Sequence, residues 1–233
     1  MSDLSKVSVI FDLDGTVVDT APDLVAAMNE VLARHDRASI PTSQIRNLVG
    51  HGARVMMARG FAETGTPADD ALLDRLYDQF LDHYLDHIAD ASAPFPGAIA
   101  AIQTLAARGA RLGICTNKPE AAARKLLEAL DLSRYFEAVI GGDSLKMKKP
   151  DPECFRESVR RLGGGEGPSV MVGDSETDVL TARAAGAPVI GVTFGYTPEP
   201  IETFHPDIVI DHFDKLGSAL DQLLSRHPLL ATD

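Results

Sequence analysis

The chain has 233 residues, 45% hydrophobic and 24% charged, which is the balance of a folded globular protein and excludes a disordered one. At about 150 residues per domain the length suggests one core plus a smaller attached unit. The formal net charge of −12 excludes the cation-driven affinity of a nucleic-acid binder, and no apolar run approaches the ~18 residues of a membrane span.

A β-rich run, Val-Ser-Val-Ile-Phe at 7–11, ends at Asp12, and Asp14-Gly15 supplies a turn. Thr20, Pro22 and Asp23 then mark a helix start as cap, first-turn proline and dipole-matched acid, with the helix running to about Arg34. From there to about Asp90 the patterns are helical, with no strand. Ile45, Leu48, Val55 and Met56 flank a Gly50-His51-Gly52 break, and Leu72, Leu73, Leu76, Tyr77, Phe80, Tyr84 and Ile88 form one helical stripe. Pro94-Phe95-Pro96-Gly97 reads as a linker. Beyond it helices (98–108, 119–130, 152–162, 177–185, 213–225) alternate with strands (112–116, 138–141, 170–172, 189–192, 208–210). That rhythm predicts an α/β fold: a doubly wound parallel sheet, Rossmann-like, as the core. The core takes residues 1–17 and 91–233, and a helical insert takes 18–90. Residues 1–6 lack a secretory signal pattern. Cys115 and Cys154 sit in apolar patterns without a CxxC, so reduced core thiols and a cytoplasmic location are expected.

Ligands of open α/β sheets bind beyond the carboxyl ends of the strands. Those ends carry Asp12 and Asp14, then Thr116-Asn117-Lys118, then Lys148-Lys149-Pro150, then Asp174 with Asp178 four residues on. Crowded carboxylates repel one another unless a cation sits among them, and an all-oxygen donor set favours Mg²⁺. A metal, a lysine and a hydroxyl around a carboxylate suit phosphoryl transfer. An aspartate can be the nucleophile, and a second one two residues on can serve as acid and then base. Gly15 permits the sharp turn this needs.

The segments DLDGTVVDT, ICTNK, KKPDP and GDSETD, in this order, resemble the four signature motifs of the haloacid dehalogenase-like superfamily. A closer likeness to its phosphatases of small phosphoacids lies in FPG at 95–97, TNKP at 116–119, GGDSLKMKKPDP at 141–152, FGYTPEPI at 194–201 and PDIVIDHF at 206–213. The resemblance implies Asp12 as nucleophile and Asp14 as acid/base. It implies Mg²⁺ held by the Asp12 carboxylate, the Asp14 carbonyl and Asp174, with Asp178 supporting the metal's water shell or orienting Lys149. Thr116, Asn117 and Lys149 would hold the phosphoryl group. The insert at 18–90 resembles a mobile cap, and His51 and Arg54 lie where such caps touch substrate. The expected partner is a small phosphorylated metabolite, with 2-phosphoglycolate first, and the expected assembly is a monomer or homodimer. The alternatives are a phosphosugar phosphatase or phosphomutase, and a non-enzymatic phospho-receiver, which carries its aspartate on a later strand and has no insert.

Three other features have plainer readings. Lys146 and Lys148 read as a solvated loop, and Lys149 is singled out because Pro150 and Pro152 restrain the chain beside it. His83 and His87 stand four apart on a helix but lack a zincin pattern, with Asp82 and Asp86 as a solvated face. The glycine-rich run at 163–167 precedes a strand and lacks a Gly-Lys-Ser/Thr ending, so it reads as a connection and not as a phosphate loop.

Overall fold

The computed structural model describes residues 3–47 (main chain only over 45–47), 52–164 and 167–226. In chain order, β1 (Ser8–Phe11) is followed by β2 (Val18–Asp19), α1 (Ala21–Arg34), a 3-10 turn over Thr42–Asn47, α2 (Ala53–Thr64) and α3 (Asp70–Asp86). The short β3 (Ala93–Pro94) returns the chain to α4 (Ala98–Ala107). Strand and helix then alternate: β4 (Arg111–Cys115), α5 (Glu120–Ala129), β5 (Ala138–Ile140), α6 (Pro152–Arg161), β6 (Ser169–Gly173), α7 (Glu176–Ala185), β7 (Val189–Val192), β8 (Ile208–Ile210) and α8 (Leu216–Arg226).

Six strands form one sheet in the order β5-β4-β1-β6-β7-β8, and every adjacent pair is parallel. Such a sheet needs apolar cover on both faces, and the strand residues supply it by strict alternation. Val9, Phe11, Leu112, Ile114, Val170 and Val172 join one buried cluster. Ile10, Cys115, Met171 and Val189 join a second, with Cys154 and Phe155 of α6 and Val179 of α7. Both cysteines are free and buried. The chain winds outward from β1 through β4 to β5 and then crosses back to β6 on the other side of β1. The carboxyl end of β1 is therefore the switch point of the sheet, where a ligand crevice opens.

The helices between β2 and β3 bury one stripe each. Leu73, Leu76, Phe80 and Tyr84 of α3 and Met56, Met57 and Phe61 of α2 belong to the same buried cluster as Leu24, Met28 and Leu32 of α1. That cluster is continuous with one face of the sheet, so the insert shares the core's apolar interior. At its start α3 is capped by Asp69, whose side chain accepts from the Leu72 N–H at 2.8 Å.

Three expectations are corrected. The insert predicted as helical from residue 18 begins with β2, and the predicted linker begins inside β3; these pair antiparallel, Val18 with Pro94 and Asp19 with Ala93. The two crossings into and out of the insert thus form one ribbon. Thr20 occupies the cap position of α1, but its hydroxyl makes no cap bond and is buried without a partner among the described residues. Asp23 stands in the first turn of α1 as expected, and its carboxylate also accepts from the Ala91 N–H, the Ser92 N–H and the Ser92 hydroxyl, the last two at 2.7 and 2.6 Å. His51, Gly50 and the centre of the 163–167 run lie outside the described residues.

Candidate active site

Asp12 directly follows β1, where its N–H donates to the Val172 carbonyl at 2.9 Å. This bond to β6 fixes the residue at the sheet's switch point, and the Leu13 N–H donates to its Oδ1 at 2.7 Å. Lys149, from the loop after β5, brings its Nζ to 3.0 Å from Asp12 Oδ1 and 2.5 Å from Asp178 Oδ1. Its neighbours Lys146 and Lys148 are exposed, whereas Lys149 is buried, so the lysine singled out by its prolines is the one at the site. Thr116 is buried immediately after β4, and its hydroxyl oxygen accepts from the Lys118 N–H at 3.3 Å.

Asp174 follows β6 and is held from two sides. The Thr16 hydroxyl donates to Oδ1 at 2.9 Å, and the Tyr196 N–H donates to Oδ2 at 2.8 Å. Gly15, with φ of +82°, passes so close that a Cβ there would lie 2.6 Å from Asp174 Oδ2; a side chain at 15 would strain the turn and collide with that carboxylate. Asp178 opens α7 in a reciprocal capping box with Ser175. Its Oδ2 accepts from the Ser175 N–H and hydroxyl, which leaves Oδ1 for Lys149. Of the two roles expected for it, orienting Lys149 matches these bonds.

Carboxylate oxygens of Asp12, Asp174 and Asp178 lie within 4.8 Å of one another, and this is the one cluster of three or more potential metal-ligating side chains among the described residues. Burial pushes the Asp12 carboxyl up to about 8, against the pull of Lys149 and with the charges of Asp178, Asp174 and Asp14 adding to the rise. Burial and Asp178 likewise push Asp174 up to about 6. Burial works against the Lys149 ammonium too, but Asp12 and Asp178 outweigh it and hold the group protonated above the usual lysine range. The arrangement is short of positive charge, and its donors are all oxygens. A hard divalent cation fits that need.

The Asp14 carboxylate faces elsewhere. Lys118 Nζ lies 2.9 and 3.2 Å from its two oxygens and 2.7 Å from the hydroxyl of Tyr84, which comes from α3 of the insert. Sequence reasoning missed both Lys118 and Tyr84 as site residues, although the lysine stands two positions from Thr116 and the tyrosine was already in the apolar stripe. It also missed Tyr196, whose hydroxyl donates to Asp19 and accepts from the Ala21 N–H. A polar tip on an aromatic residue near the start of FGYTPEPI was the available signal.

Asp12 and Asp14 line two cavities. One, of about 60 Å³, lies toward the insert and is closed by Leu24, Met56, Phe80 and Tyr84. The other, of about 290 Å³, lies toward Asp174, Ser175 and Tyr196. Arg54 lines neither; it borders a wider opening of about 610 Å³ together with Arg59, Tyr77 and Lys148. The Arg54 guanidinium sits 3.1 Å from Asp70 and 3.0 Å from Asp74. Asn117 donates its side-chain amide to the Lys149 carbonyl at 3.2 Å.

This chain belongs to the haloacid dehalogenase-like hydrolase family, whose profile matches residues 9–192. It is 45% identical to a phosphoglycolate phosphatase of Caulobacter vibrioides over 98% of this chain and 96% of that one. To the phosphoglycolate phosphatase of Mesorhizobium japonicum it is 46% identical over 96% of this chain and 98% of that one. Among solved structures, a predicted phosphoglycolate phosphatase from Haemophilus somnus 129pt superposes with a TM-score of 0.86 at 28% identity, covering 94% of this chain and 99% of that chain. No helix among the described residues is long and apolar enough to cross a membrane.

Proposed function

We propose that the protein is a Mg²⁺-dependent phosphatase of small phosphomonoesters, with 2-phosphoglycolate as substrate and glycolate and phosphate as products. The observation that carries the reading is Asp12: a buried carboxylate at the switch point of the sheet, 3.0 Å from Lys149 and clustered with Asp174. Relatives named phosphoglycolate phosphatase at 45–46% identity over nearly the whole chain support the substrate.

In the first step an Asp12 carboxylate oxygen attacks phosphorus, and the ester oxygen leaves with a proton from Asp14, giving an aspartyl-phosphate. In the second, Asp14 removes a proton from water, the water oxygen attacks phosphorus, and the bond to Asp12 breaks to free phosphate. Lys149, Thr116 and the main-chain N–H of Asn117 would hold the phosphoryl oxygens; the Asn117 side chain is already committed to Lys149. Asp178 keeps Lys149 aimed at Asp12. Mg²⁺, held by the Asp12 carboxylate, the Asp14 carbonyl and Asp174, would supply charge neutralisation for the phosphoryl group. The insert serves as the cap, and its apolar residues exclude bulk water from the 60 Å³ cavity.

Asp12→Asn tests the reading. Phosphate release from 2-phosphoglycolate should fall by about a thousandfold or more, with an unchanged circular dichroism spectrum. A variant that folds and keeps substantial turnover removes Asp12 as nucleophile.

A further inference from the structure

We propose that Lys118 recognises the carboxylate of the substrate and takes it in exchange for Asp14. The proposal rests on the phosphatase reading and adds to it the group that selects a phosphorylated acid over a phosphorylated alcohol.

The cavity toward the insert holds two cations among its described lining residues, Lys118 and Lys149. Lys149 is committed to Asp12 and Asp178, on the side where the phosphoryl group would sit. Arg54, the cation expected to touch substrate, borders a different opening and is paired with two carboxylates of α3 and its first turn. The same cavity is lined by the apolar side chains of Leu24, Met56, Phe80 and Leu81. A substrate carboxylate entering here has Lys118 as its available counter-charge.

The spacing fits a two-carbon phosphoacid. Asp14, the group placed to protonate the ester oxygen, is 2.9 Å from Lys118 Nζ. In 2-phosphoglycolate the carboxylate carbon is two bonds from that same ester oxygen. An ammonium adjacent to the acid that serves the ester oxygen is therefore adjacent to the substrate's carboxylate as well. A lysine has three N–H donors, and here the two oxygens of Asp14 and the Tyr84 hydroxyl occupy them. An incoming carboxylate must displace Asp14 to bind.

That exchange keeps the ammonium paired: one carboxylate leaves it as another arrives, so Lys118 is never a buried cation without a counter-charge. Asp14 is released to turn toward the leaving oxygen, while Tyr84 keeps Lys118 tied to α3 of the insert. A phosphorylated alcohol has no carboxylate to offer, so Lys118 stays on Asp14 and the acid remains turned away. A site built around a polar partner rejects the analogue that lacks it by large factors.

The test compares 2-phosphoglycolate with 2-hydroxyethyl phosphate, which replaces the carboxylate with a hydroxymethyl group. Wild-type protein should prefer the acid, and Lys118→Met should lower the kcat/KM ratio of acid to alcohol about a hundredfold. Lys118→Arg should keep most of the preference. Binding gives a second readout that does not depend on turnover. In calorimetry with Mg²⁺ present, 3-phosphonopropanoate, whose ester oxygen is a methylene, should bind wild-type protein at least about tenfold more tightly than propylphosphonate. Equal binding of the two phosphonates, or an unchanged ratio in a folded Lys118→Met protein, overturns the proposal. Equal hydrolysis of both esters that still depends on Asp12 would leave the phosphatase reading standing without it. Hydrolysis of neither ester would count against the phosphatase reading, and the phosphonate comparison would still decide the role of Lys118.

Discussion

Gly15 shows how a single residue can serve both the turn of the backbone and the placement of a neighbouring carboxylate. Its left-handed φ of +82° turns the chain after Asp14, and its missing side chain lets Asp174 come within what would be 2.6 Å of a Cβ. Gly15→Ala adds a methyl at a φ that costs an L-residue about 1–2 kcal/mol, and the methyl pushes on Asp174 and on the Tyr196 ring. Displacing Asp174 loosens its bonds from Thr16 and Tyr196. The expected outcome is a loss of activity of at least about tenfold, together with a higher Mg²⁺ concentration for half-maximal rate. A titration of rate against Mg²⁺ checks it, and a variant with wild-type Mg²⁺ dependence would separate the turn from the site.

At the scale of elements, the ribbon of β2 and β3 carries both crossings between sheet and insert, and Asp23 of α1 ties it from behind. Its carboxylate accepts from the Ala91 N–H and from the N–H and hydroxyl of Ser92. Asp23→Ala leaves these donors in a buried setting without an acceptor, at a cost of about 2–4 kcal/mol. For a chain of this size the melting temperature should drop by about 5–15 °C, as thermal unfolding followed by circular dichroism would report. Asp23→Asn should recover part of the loss, because its amide oxygen still accepts. The sequence made the sheet legible because its six strands are buried runs rich in Val and Ile, punctuated by turns. β2 and β3 were not legible: each has two residues, β3 contains a proline, and no period can emerge from two positions. Thr20 misled for a related reason. Its residue type favours a helix cap, but tertiary contacts bury its hydroxyl. The aspartates, Thr116 and Lys149 could be read because each stands at a strand end in the same chain. Lys118 stands at such an end too, but its role could not be read there, because it comes from Tyr84, which is 34 residues upstream and reaches across from the insert.

For the whole molecule, the net charge of −12 and the carboxylate cluster at the switch point raise the same physical question at two ranges. General self-repulsion is screened by any salt, within a Debye length of about 8–10 Å. The cluster of Asp12, Asp174 and Asp178 is buried and has its oxygens within 4.8 Å, so screening by bulk ions reaches it poorly and a cation bound within it would act far more strongly. A ligand that binds the folded state alone stabilises it by mass action, about 2.7 kcal/mol at a hundred times its dissociation constant. Saturating Mg²⁺ should therefore raise the melting temperature by about 5–10 °C, whereas KCl at matched ionic strength should give a much smaller shift. Asp174→Asn should abolish most of the Mg²⁺ increment while keeping the response to KCl, because it removes a negative charge from the cluster but barely changes the global charge. If KCl reproduced the full Mg²⁺ effect in wild-type protein, the stabilisation would be screening of the −12 surface, and the cluster would not be a cation site.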